Sequence, residues 1–106
     1  MPRPKKHRRI SNRPEVSFFK PQGVPLSCLN IVTLGYDELE AVKLADYENL
    51  SQQKGAESMN ISRATFGRIV SDARRKIATA LIRGNAIRIE GGRIEVHPTP
   101  VARKRK

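Results

Sequence analysis

Apolar side chains recur at helical spacing through the middle of the chain and alternate with polar ones near its end. From Tyr36 to Tyr47, the positions Leu39, Val42 and Ala45, with Leu44 beside them, predict a first helix. Gly35 stands at its N-cap, and Asp37 and Glu38 occupy the first turn, where the helix dipole favours acids. A second, shorter helix is predicted from Ser51 as N-cap through Gln52 to Met59, with Ala56 and Met59 on one face and Leu50 just before it. Gly55 inside it costs about 1 kcal/mol relative to alanine, unless it permits a close approach of two helices. Asn60 suits the left-handed residue that ends a helix. Ser62 then caps a third helix, Arg63 to Arg83, with Gly84 as its stop. Phe66, Ile69, Val70, Ala73, Ile77, Ala80 and Leu81 form its apolar stripe.

Outside these helices the pattern changes. Residues 1–32 contain Pro2, Pro4, Pro14, Pro21 and Pro25 and read as an irregular arm, with Phe18 or Phe19 pinning it to the core. Leu29 to Val32 reads as a short extended piece. Ala86 to Val96 predicts a β-hairpin about Gly91-Gly92, with Ile89 opposite Ile94, Ile87 opposite Val96, Glu90 opposite Arg93 and Arg88 opposite Glu95. The expected organisation is a Pro-rich basic arm (1–32), a mainly α, three-helix domain closed by a hairpin (33–97), and a basic tail (98–106).

The second and third helices, with the Asn60 turn and apolar Ile61 between them, have the layout of a helix-turn-helix. In that motif the later helix enters the major groove of DNA with its N-terminal residues leading. At about 100° per residue, an inward Phe66/Ile69/Val70/Ala73/Ile77 stripe turns Ala64, Arg68, Ser71 and Arg75 outward. Thr65 and Asp72 fall on one flank and Gly67 on the other. Arg68 is the candidate base reader, because arginine can bond bidentately to guanine. Ala64 and Thr65 are placed for base edges or a thymine methyl group. Arg63, Arg75, Lys76 and Gln52 are placed for the phosphates of the duplex, and the capping Ser62 belongs to the same candidate DNA-binding set.

Charge sharpens this picture. The chain has 106 residues and a net charge of +11, from 21 Lys+Arg against 10 Asp+Glu. Such an excess favours a polyanionic partner. The charges are also segregated. Arg3, Lys5, Lys6, Arg8, Arg9 and Arg13 open the chain with no acid among them. Residues 33–60 are acidic, whereas residues 62–88 carry seven Lys/Arg against Asp72 alone. Arg103-Lys-Arg-Lys106 closes the chain. The basic arm and tail are expected to add affinity for phosphates without reading sequence.

Other chemistries find little support. The single cysteine, Cys28, admits no intrachain disulfide, and no apolar run reaches a membrane span. His7, His97 and Cys28 lack paired metal-ligand spacing, and no nucleophile stands beside a candidate base. No metal, cofactor or enzymatic activity is expected, and a cytoplasmic, nucleoid-associated location is.

Tyr36–Leu50, the motif after it and Ala73-Arg-Arg-Lys-Ile-Ala78 are similar to region 4 of bacterial sigma factors, which binds promoter DNA. The whole chain resembles more closely an uncharacterised prokaryotic family of small predicted DNA-binding proteins. The resemblance rests on Met1-Pro-Arg-Pro-Lys-Lys6, Phe19-Lys-Pro-Gln-Gly-Val-Pro25, Asp37-Glu-Leu-Glu-Ala41, Leu44-Ala-Asp46, Ser62-Arg-Ala-Thr-Phe-Gly-Arg-Ile69, Ala73–Ala78 and Ile87-Arg-Ile-Glu-Gly-Gly92. It implies a sigma-region-like helical fold and transcriptional regulation. Two departures stand out. Many relatives carry cysteines around the positions of His7 and Ser11, so a metal-binding role for the arm does not carry over, and Gly55 replaces a larger residue. The alternatives are an RNA- or ribosome-associated basic protein and a module that docks on RNA polymerase through its acidic first helix. A homodimer joined through the hairpin is also open, because one short helix-turn-helix offers a small interface.

Overall fold

The computed structural model describes residues 7–11, 13–92 and 94–96. Arg3, Lys5 and Lys6 of the expected arm, Arg93 of the expected hairpin and the tail 98–106 lie outside them.

Three helices form at the expected places. α1 (Tyr36–Val42) starts after Gly35, whose N–H donates to Glu38 Oε1 at 2.8 Å. It continues through Lys43–Tyr47 as a wider π-helical turn, closed where Glu48 N–H reaches the Lys43 carbonyl at 2.8 Å. α2 (Gln52–Met59) is capped by Ser51 Oγ, which accepts from Lys54 N–H at 3.1 Å, and ends in left-handed Asn60 (φ 59°). α3 (Arg63–Arg83) is capped by Ser62 Oγ, which accepts from Thr65 N–H at 3.1 Å, and stops at left-handed Gly84 (φ 70°).

The strands depart from expectation. The stretch read as an irregular arm contributes β1 (Arg8–Ile10) and β2 (Phe18–Phe19), and β3 spans Ile31–Leu34. Beyond α3 lie β4 (Ala86–Ile89) and β5 (Ile94–Val96), and they do not form a hairpin. β4 is the middle of a three-stranded sheet. It runs parallel to β3, with Ile31 beside Ala86 and Leu34 beside Ile89, and antiparallel to β2, with Phe19 opposite Ile87. β5 pairs in parallel with β1, with Arg8 beside Ile94 and Ile10 beside Val96. The hairpin fails because β4 has no vacant edge. Gly91 and Gly92 do turn the chain, but the turn belongs to α1. The Gly91 carbonyl accepts Tyr36 N–H at 2.9 Å, and a Cβ on Gly92 would lie 2.6 Å from Asp37 Oδ1. The result is a mixed α/β fold rather than a mainly α one, with three helices in the crossover between parallel neighbours β3 and β4.

Two apolar clusters hold the layers. Ala41, Leu44, Ala56, Met59, Phe66, Ile69 and Val70 pack the helices together. Leu34, Ala73 and Ile89 join α3 to the sheet, supported by Leu39, Val42, Ile77 and Ile87. Leu81, expected in the inner stripe, is instead 74 % exposed. Ile10 is buried to 1 % on β1, which lies against α1 and α2, so β1 is a structural part of the domain. Phe19 is 52 % exposed, and the anchoring comes from the pairing of β2 rather than from its ring. No helix of the described residues is long and apolar enough to cross a membrane.

Candidate nucleic-acid interface

The corner between α2 and α3 is built around a missing side chain. Gly55 is buried, and a Cβ on it would lie 2.3 Å from Phe66 Cζ. The fully buried Phe66 ring therefore rests on the α2 backbone, which sets the separation and angle of the two helices. Ile61 N–H bonds to the Ala56 carbonyl at 3.0 Å and closes the turn between them.

This packing leaves the other side of α3 open. Arg63, Ala64, Arg68, Ser71 and Arg75 are all exposed, as the helical spacing requires. Among the described residues, none of these three arginines has an ion-pair partner. Thr65 is half-buried, and its Oγ1 accepts from Ser62 Oγ at 2.9 Å and from Arg68 Nη2 at 3.4 Å. The cap is thereby linked to the guanidinium proposed as reader. Exposed Gln52 opens α2 beside Gly67, where a Cβ would meet its amide at 3.7–3.9 Å. That amide thus lies against the flank of α3.

Lys76, expected at phosphates, and two further cations are paired with carboxylates of the protein itself. Lys76 Nζ donates to Glu38 Oε1 at 2.8 Å and to the Thr33 carbonyl at 3.1 Å, which ties α3 to α1 and β3. Arg8, placed in the basic arm, pairs with buried Asp37 at 2.9 Å and fastens β1 to the start of α1. Arg9 points outward from the same strand. Arg74 binds Asp46 through both Nε (3.1 Å) and Nη2 (2.7 Å). These hydrogen bonds hold the Asp46 carboxyl below its usual range. The two pairings on α3 share a cause. The acids of α1 and its π turn face the flanks of α3, so they capture the flank cations and spare the outward ones.

Arg8, Asp37, Glu38, Asp72, Lys76 and Glu90 surround a cleft of about 660 Å³ beside α3. Farther along, Glu40 is buried against Ser11, whose Oγ also accepts from Lys43 Nζ at 2.6 Å. Burial pushes the Glu40 carboxyl up, partly offset by Lys43 and Ser11. Neither Ile10 nor Ser11 was legible as a fixture. A lone isoleucine in a basic, proline-rich stretch carries no periodicity.

The family described as "Protein of unknown function DUF134" matches residues 1–97. A UPF0251 protein of Caldanaerobacter subterraneus subsp. tengcongensis is 52% identical over 97 residues, covering 92% of this chain and 82% of the relative. One from Rhodospirillum rubrum is 51% identical over 98 residues, covering 92% and 68%. One from Dehalococcoides mccartyi is 48% identical over 104 residues, covering 98% and 89%. No solved structure matches the chain.

Proposed function

The chain belongs to the DUF134 family of bacterial proteins, and on that premise and the geometry above we propose that it binds duplex DNA through a helix-turn-helix formed by α2 and α3, as a regulator of transcription. One observation carries the reading. The unpaired guanidinium groups of α3 stand on its outward face with its first turn open, while Arg74 and Lys76 on its flanks are bound to carboxylates. An arrangement that only solubilised the helix would have no need to divide its cations this way.

In this mechanism the N-terminal half of α3 lies in the major groove. Arg68 donates two N–H groups to O6 and N7 of a guanine, steadied by Thr65 and the Ser62 cap. Ala64 and Ser71 are small enough to let the helix approach the groove floor. Arg63, Arg75 and Gln52 contact phosphates and set the register. The site of action is the nucleoid, in the cytoplasm.

The test is binding of the full chain to a pool of random duplexes, with single- and double-stranded RNA as competitors. Duplex DNA should outcompete RNA, and selection should enrich a defined sequence. Arg68→Ala should cost about 1–3 kcal/mol on that sequence and relax the preference at one base pair. An equal loss on every sequence would reassign Arg68 to phosphate contact. Preference for RNA would overturn the proposal.

A further inference from the structure

We infer that the Thr65 hydroxyl is a second base reader that can only donate: it gives its proton to an acceptor on the base beside the guanine of Arg68, and so rejects cytosine there. The inference rests on the duplex reading above and deepens it. A free threonine hydroxyl, with one proton and two lone pairs, turns to suit a donor or an acceptor. The Thr65 hydroxyl lacks that freedom. Its Oγ1 accepts from Ser62 Oγ at 2.9 Å and from Arg68 Nη2 at 3.4 Å, so both lone pairs are taken. Arg68 is a donor only and cannot receive the Thr65 proton. Among the described residues no other acceptor receives it. Ser62, Arg63 and Ala64 are exposed around it, so the proton is left for a partner outside the protein.

The needs of the helix alone do not account for this threonine. It stands third after the cap, where a glutamate would close a capping box. α1 follows that rule, since Glu38 Oε1 reaches back to Gly35 N–H at 2.8 Å. α3 has no acid in its first turn, although the helix dipole favours one there. Threonine, branched at Cβ, is also a weaker helix former than alanine or glutamate. The Ser62 cap uses only the Thr65 backbone N–H, at 3.1 Å. A carboxylate at this point would repel phosphates, whereas a hydroxyl with an unused proton does not.

The base it reads follows from the same hydrogen bonds. A bidentate Arg68 uses both acceptors that guanine shows in the major groove, O6 and N7. Thr65 Oγ1 lies 3.4 Å from Arg68 Nη2, and successive bases of one strand rise by about 3.4 Å. The hydroxyl therefore reaches the neighbouring base of the strand that carries the guanine. There adenine offers N7, guanine O6 and N7, and thymine O4, whereas cytosine offers only the N4 amino donor. With both lone pairs occupied, Thr65 has nothing to receive that donor.

The test selects sites for the full chain from random duplexes, then titrates the best site with each of the four bases beside the guanine. Cytosine should be depleted there, and its duplex should bind about three- to tenfold more weakly than the others, the range for one hydrogen bond. Thr65→Val keeps the shape and removes the hydroxyl. It should abolish that difference with an unchanged circular dichroism spectrum, and Thr65→Ser should retain it. Ser62→Gly, a tolerated cap, frees one lone pair of Thr65 and should shrink the penalty for cytosine. A penalty that survives Thr65→Val or Ser62→Gly overturns the inference, as does enrichment of cytosine. A Thr65→Val loss that is equal on every duplex, or confined to the guanine, makes Thr65 a positioning residue and also overturns it. A guanine that depends on Arg68 with no bias beside it overturns this inference alone. A chain without preference for duplex DNA overturns the proposed function and this inference with it.

Discussion

Gly55 shows how one residue decides the geometry of the site. By propensity alone, Gly55→Ala should stabilise α2 by about 1 kcal/mol. The added methyl group, however, would sit 2.3 Å from Phe66 Cζ and 2.8 Å from its neighbours, and that ring is enclosed on all sides. Overpacking of this kind costs about 1–3 kcal/mol, so the net effect is destabilising. Urea unfolding should show a lower midpoint for Gly55→Ala, and DNA affinity should fall with it as α2 and α3 are pushed apart. An increase in stability would mean that Phe66 has room to move. Glu40 acts through solvation. Its carboxyl is buried and held above its usual 4.5. The folded state therefore binds more protons than the unfolded one just above pH 4.5, and stability is lost as pH rises through that window. Asp46 works in the opposite sense: held below 3.8 by Arg74, it loses its contribution only as pH falls below that value. Glu40→Gln should gain thermal stability relative to the native protein between pH 4 and pH 7. An offset that is the same at both pH values would rule out the linkage.

The elements differ in how plainly the sequence announced them. The three helices were legible because a period of 3.6 and a cap at each start are local signals, and Ser51, Ser62, Asn60 and Gly84 sit where those signals placed them. The outward face of α3 followed from the same arithmetic. The strands were not legible, because their partners are remote. Ile87 and Ile94 look like neighbours across a two-glycine turn, yet one pairs with Val32 and Phe19 and the other with Arg8. The commitment of Lys76 and Arg8 to Glu38 and Asp37 was hidden for the same reason. The contrast between an arm and a strand can be measured. If residues 7–11 were a loose arm, Ile10→Ala would be silent. Buried to 1 % between β5 and the helices, Ile10 should instead cost about 2–5 kcal/mol on truncation. A urea midpoint within error of the native protein would return the segment to the status of an appendage.

At the scale of the molecule, net charge and usable charge are different quantities. The chain carries 21 basic residues, but Arg8, Lys43, Arg74, Lys76 and Arg88 each lie within 4 Å of a carboxylate. On the proposed reading, such cations add little to the counterions released from a duplex, because they are already matched. The salt dependence of binding should then divide into a part that belongs to α3 and a part that belongs to the termini. Arg63 and Arg75, the cations of α3 proposed to contact phosphates, contribute a slope of about −2 to log K against log salt, at about −0.9 per phosphate neutralised. Residues 1–6 and 98–106 hold seven more basic side chains. Removing both segments should flatten the slope by as much as about 6, and the ranking of preferred sequences should stay the same, because phosphate contacts position the protein whereas the groove-facing side chains discriminate. Titration of the truncated and full chains at several salt concentrations, on the selected duplex and on a scrambled one, separates the two terms. If truncation erased the preference between those duplexes, the termini would be reading bases, and α3 could no longer be held to carry the specificity alone.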